Sequence, residues 1–225
     1  MSRDPRDTEH GRQAACQQPF GRHVRRRGYR AAMAIEVVPA TAERFDDVVT
    51  LLGPPVPGTP TCWCLANRLR SPERSALGPD GQAEYVRELC ARDVQPGLLA
   101  YDEGVVVGWA AVAPRSELFA FRRGGRIPWL DERPVWSVFC FRVRGGHRRQ
   151  GVAGALLAGA IAFAREHSAP ALEGYPVDNA GARIDASGGY VGTRSMFEKA
   201  GFTKVSDTDS VSARTPRVLM RLDLV

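Results

Sequence analysis

The chain has 225 residues, 44% hydrophobic and 25% charged, a mix that excludes a wholly disordered polypeptide and suits one domain with a core plus a tail. Its net charge of +6 is unevenly placed, because residues 1–32 hold eight Arg against three acidic residues. The rest is close to neutral, so the basic balance argues only weakly for nucleic acid, and none is expected as a partner.

Segment 1–32 has no hydrophobic period and reads as a disordered, Arg-rich extension. It lacks the apolar stretch of a secretory signal, and Asp4, Asp7 and Glu9 argue against a transit peptide. Met33 stands directly before the first strand-like run, so translation is expected to begin there with 1–32 an upstream extension, and the domain is expected over 33–225. The longest apolar run, Val152 to Ala164, falls short of the ~20 residues that cross a bilayer; no membrane association is expected. Cys16, Cys62, Cys64, Cys90 and Cys140 are odd in number and lack framework or zinc spacing. Reduced thiols, no metal and a cytoplasmic location follow as expectations.

Along the domain, Ile35 to Val38 reads as a strand stopped by Pro39, and Thr41 as the cap of a helix carrying Phe45, Val48, Val49 and Leu52. Four prolines between Pro54 and Pro60 enforce a loop. Trp63, between Cys62 and Cys64, is either packed core or the wall of a pocket. Asp80 begins a second helix with Tyr85, Val86, Leu89 and Cys90. Leu98 to Tyr101 and Val105 to Val112 flank Asp102-Glu103-Gly104 as a hairpin, and Ser116 to Phe121 reads as a short helix. Val135 to Val143 is apolar on both faces, as a central strand is. The helix from Gly151 to His167, the strand Ala171 to Tyr175, a Gly-rich stretch 176–191 and a short helix follow. Strands at Phe202 to Val205 and Val218 to Leu224 close the chain.

The stretch Val143-Arg144-Gly145-Gly146-His147-Arg148-Arg149-Gln150-Gly151-Val152-Ala153-Gly154 carries the most chemistry. A strand that delivers a doubly basic glycine turn into a helix N-terminus makes an anion site, because the first helical amides lack partners and the helix dipole is positive there. A Walker A loop fails, since Val152-Ala153 stand where Lys-Ser/Thr is required. No G-x-G-x-x-G is present either. What does match is V-x-x-x-x-[RQ]-x-x-G-x-[GA], through Val143, Arg148, Gly151 and Ala153. Thr193 to Phe202 adds a short helix ending in E-K-x-G-F, with Thr193 as N-cap and Gly201 past the C-terminus. In their order and spacing the two elements resemble the GNAT superfamily of N-acyltransferases, over roughly residues 34–225.

The resemblance implies an α/β fold: a central mixed, mostly antiparallel sheet of about six to seven strands flanked by about four helices. It also implies acetyl-CoA as co-substrate and a primary amine, on a small molecule or peptide, as acceptor; a homodimer is compatible with it. Pyrophosphate would rest on Arg148, Arg149, Gln150, Gly151, Val152, Ala153 and Gly154, and the pantetheine arm on the backbone of Phe141, Arg142 and Val143. One departure bears on catalysis: the family often has a Tyr before E-K-x-G-F, and this chain has Phe197, which cannot donate a proton. Glu173 and Tyr175, on one face of a strand by period 2, are the expected catalytic replacements, with Tyr190 a further candidate. His147 is expected to help hold phosphate, and His167 to end its helix favourably. Acceptor choice falls to the loops 53–79 and 176–192. The alternative reading is a CoA-binding sensor without catalysis.

Overall fold

A computed structural model describes residues 35–184 and 188–224. The Arg-rich extension and its expected boundary with the domain lie outside the described residues.

Seven strands form one sheet in the order β1-β2-β3-β4-β5-β7-β6. They are β1 (Glu36–Pro39), β2 (Gly97–Asp102), β3 (Val105–Pro114), β4 (Trp136–Val143), β5 (Ala171–Gly174), β6 (Thr203–Ser212) and β7 (Thr215–Asp223). Among the described strands only β4 and β5 run parallel, joined by the expected single crossover. The hairpin between β2 and β3 turns on Glu103 and Gly104, both in the left-handed region at φ 51° and 76°, as a two-residue turn of this hand requires. The closing hairpin is longer than the sequence suggested. The polar alternation of Thr203 to Ser212 is an edge strand with outward polar side chains, which protects the open edge.

Among the described residues four α-helices cover the sheet: α1 (Phe45–Leu52), α2 (Ser71–Cys90), α3 (Val152–Glu166) and α4 (Arg194–Lys199). The expected start of the second helix at Asp80 captures only its later half. The chain already turns helical at Ser71, breaks at Gly78 with φ 63°, and resumes at Pro79. Pro72 suits a first turn because no intrahelical N–H is lost there. Ser116 to Phe121 forms two separate 3-10 turns.

Both sheet faces are covered. On one, α1 and α2 bring Phe45, Val48 and Leu89 against Trp109, Phe121 and Phe139. On the other, Leu156, Leu157 and Ile161 of α3 and Phe197 of α4 meet Val138, Phe141 and Met220. Leu156 and Leu157 are fully buried, each contributing about 1.5–3 kcal/mol by removal from water. Among the described residues no helix is long and apolar enough to cross a membrane.

Candidate active site

The site begins where the sheet opens. β4 and β5 pair only at Trp136↔Leu172, Ser137↔Glu173 and Val138↔Gly174, whereas β4 stays paired with β3 as far as Val143. A bulge in the β3–β4 ladder sits at this point, between Ala111 and Val112, and an extra residue there bends a strand away from its neighbour. Beyond Val138 the β5 side of β4 therefore presents unpaired backbone groups, which must find a partner in water or in a ligand.

A cleft of about 1250 Å³ opens there. Its phosphate-sized end is built by the loop into α3. Gly151 caps that helix at φ 88°, and no side chain bonds the first-turn amides, so they are left for a ligand. A side-chain carbon added at Gly145, Gly146, Gly151 or Gly154 would meet nothing within 4 Å, which leaves an open cradle over the helix terminus. Gln150 Nε2 donates to the Gly146 carbonyl at 2.7 Å, closing the loop on itself. His147 Nδ1 stands 3.4 Å from Asp102 Oδ2. Of the residues expected to hold a cofactor, Phe141, Arg142, Val143, Arg148, Arg149, Gly151, Val152, Ala153 and Gly154 all line the cleft. Gln150 is exposed and stitches the loop instead.

Besides the residues of that loop, the cleft is lined by Leu52, Trp63, Cys64, Cys140, Ile184 and Tyr190. Trp63 satisfies both of its readings: it is nearly buried, its ring lies parallel to Phe45 at 6.4 Å, and its edge meets the cleft. Trp63 and Cys64 are both in the left-handed region, at φ 48° and 55°, a conformation that costs non-glycine residues energy and recurs at functional sites. Cys64 Sγ and Cys140 Sγ lie 3.2 Å apart. The hydrogen bond to Cys140, reinforced by burial, holds the Cys64 thiol well above its ordinary range, so it stays protonated and is a poor nucleophile.

Glu173 and Tyr175 come together as period 2 required, but at the closed end of the β4–β5 seam. Neither lines the cleft, and neither faces solvent. Tyr175 Oη is 2.7 Å from Ser137 Oγ and donates to Glu173 Oε2 at 3.1 Å. Arg115 Nη1 donates to the same carboxylate oxygen at 2.6 Å, and Arg221 Nη2 to the other at 2.7 Å. Arg221 also pairs with Asp131. Burial, with the Glu173 charge beside it, pushes the Tyr175 phenol far up. Phe197, fully buried, packs edge-on against Phe141 and Phe202 and is core. Of the three residues considered as replacements for the missing phenol, only Tyr190 lines the cleft.

Sequence reasoning missed the thiol pair, Arg183 and Ile184. Cys64 and Cys140 lie 76 residues apart, with no local signal linking them. Among the described residues no cluster of three or more His, Cys, Asp or Glu could hold a metal.

A mixed sheet that splays beside a glycine cradle at a helix N-terminus defines an acyltransferase-type fold. Residues 65–183 match the family model described as the acetyltransferase (GNAT) family. The chain belongs to that family. Similar solved structures include a histone acetyltransferase HPA2 and related acetyltransferase from Corynebacterium glutamicum, 20% identical over 84% of this chain and 96% of that one, with a TM-score of 0.50. Another, named only as an acetyltransferase, is 15% identical over 84% and 100%, with a TM-score of 0.53. A GNAT-family acetyltransferase from Streptococcus pneumoniae is 13% identical over 85% and 100%, with a TM-score of 0.50. At these identities the likeness is one of fold. No curated protein matches the chain.

Proposed function

We propose that the protein moves an acetyl group from acetyl-CoA to a primary amine by direct attack of the amine on the thioester carbonyl. One observation carries this reading: the uncapped N-terminus of α3 and the unpaired edge of β4 open into the same cleft. Acetyl-CoA supplies the activated acyl group. The amides from Gly151 to Gly154, with Arg148 and Arg149, hold its pyrophosphate. The backbone that Phe141 and Val143 turn to the unpaired edge binds the pantetheine amides and polarises the carbonyl, the role of fixed donors aimed at developing charge, while Arg142, between them, is bonded to β3.

The attacking amine must be neutral, and the cleft is open enough for its proton to leave to water. Tyr190 holds the phenol proton for the departing sulfur. Glu173 and Tyr175 serve as positioning residues. They fix the strand end from which Tyr175 O accepts from Arg217 Nε at 2.8 Å and Val177 pairs with Thr193, and so they set where the loop carrying Tyr190 runs.

Thermal unfolding with acetyl-CoA at ~100 times its Kd should add about 2.7 kcal/mol, and an amine panel should release free thiol. Tyr190→Phe should lower kcat about 100-fold with donor affinity retained; unaltered turnover would remove Tyr190 from the mechanism. Donor binding without thiol release from any amine would favour a CoA sensor instead.

A further inference from the structure

The charge inventory of the cleft limits what its acceptor end can hold. The described lining residues include four arginines (Arg142, Arg148, Arg149 and Arg183) and His147, with no aspartate or glutamate among them. Arg148 and Arg149 belong to the phosphate loop. Arg142 and Arg183 do not: Arg142 lies on β4 within electrostatic reach of the Cys64 thiol, and Arg183 lines the cleft beside Ile184, as Tyr190 also does. Both are exposed, and neither has a carboxylate partner among the described residues. The same cleft is lined by apolar Leu52, Trp63, Ile184 and the Tyr190 ring, with Asn67 and the thiols of Cys62, Cys64 and Cys140.

We infer that the acceptor is an amine carrying a carboxylate on an apolar skeleton, an amino acid in class, and that Arg142 and Arg183 hold that carboxylate; this rests on the acetyl-transfer reading above. A guanidinium matches a carboxylate as a planar, two-pronged donor. A polycationic acceptor, such as a polyamine or a lysine-rich peptide, needs carboxylates to receive it and would meet guanidinium groups instead. The amine itself is unaffected by this bias against cations, because it reacts in its neutral form.

The test uses the full chain with acetyl-CoA and thiol detection. Leucine, methionine and phenylalanine are each compared with their amide and their decarboxylated amine, and spermidine serves as the polycation. Each amino acid should exceed its amide and amine in kcat/KM by at least about tenfold, the scale of one charged hydrogen bond. Arg142→Gln and Arg183→Gln should bring that ratio down toward one. Calorimetry on protein saturated with CoA supplies a readout apart from turnover: the amino acid should bind, and about tenfold more weakly to either variant. Thiol release that favours the amides, the decarboxylated amines or spermidine would overturn the carboxylate assignment while leaving acetyl transfer standing. Tighter binding of an amide than of its amino acid would do the same. No thermal shift with acetyl-CoA and no thiol from any acceptor would overturn the transfer reading beneath it.

Discussion

The two ends of β4 solve opposite problems with one strand. At Trp136 to Val138 it is paired on both sides, and beneath the seam a buried carboxylate is gripped by two arginines and a phenol. From Cys140 to Val143 it is paired on one side only and borders a wide cleft. The closed end fixes geometry through side chains. The open end offers backbone, which a ligand can use without any particular residue being present. Substitutions should therefore affect stability at the closed end and ligand binding at the open end.

The sharpest way to break this contrast is Glu173→Ala. It leaves Arg115, almost fully buried, and Arg221 facing a vacant site, and removing one partner of a buried ion pair costs about 3–5 kcal/mol. Urea denaturation would measure it, and a loss under 1 kcal/mol would mean the network is not structural. Gly174→Ala comes next. The new methyl would fall inside the Phe197 ring, and overpacking of a core costs about 1–3 kcal/mol, again visible in urea. At the open end, Arg148→Gln should weaken acetyl-CoA binding about tenfold, the scale of one charge-assisted hydrogen bond, and leave the urea midpoint in place; calorimetry would show the first and urea denaturation the second.

The smallest effect is on acid stability. The hydrogen bond from Arg221 holds the Asp131 carboxyl below its ordinary range. A carboxyl depressed on folding contributes stability above its unfolded value, near 3.9, and that contribution is lost as pH falls through the folded value. The melting temperature should thus decline more steeply below about pH 4 in the parent than in Asp131→Asn. Parallel curves would show that the exposed side of the network adds nothing.

Much of this architecture is local and could be read from the sequence. Thr193 accepts from the Met196 amide at 3.3 Å, and Gly201 takes φ 90°, as cap and terminator. The strand, glycine loop and α3 carry their own signals of β-branching, turn residues and apolar period. The catalytic candidates were harder. Period 2 placed Glu173 and Tyr175 on one face, yet what that face meets depends on Arg115, 58 residues away, and Arg221, 48 residues away. The first half of α2 was hidden because its exposed, Arg- and Glu-bearing turn has no apolar period, and Tyr190 carries no local signal that it lines the cleft.

The three-residue seam between β4 and β5 also bears on how the molecule moves. A sheet joined across its middle by so short a ladder behaves as two half-sheets, β1 to β4 and β5 to β7, tied by the buried carboxylate and by Phe197 packing on Phe141. Small openings along such a joint require little disruption and expose few amides. A long ligand lying on the bare edge would act as a substitute strand, and the amides of Phe141 and Val143, which face that edge, should be protected from exchange once it binds.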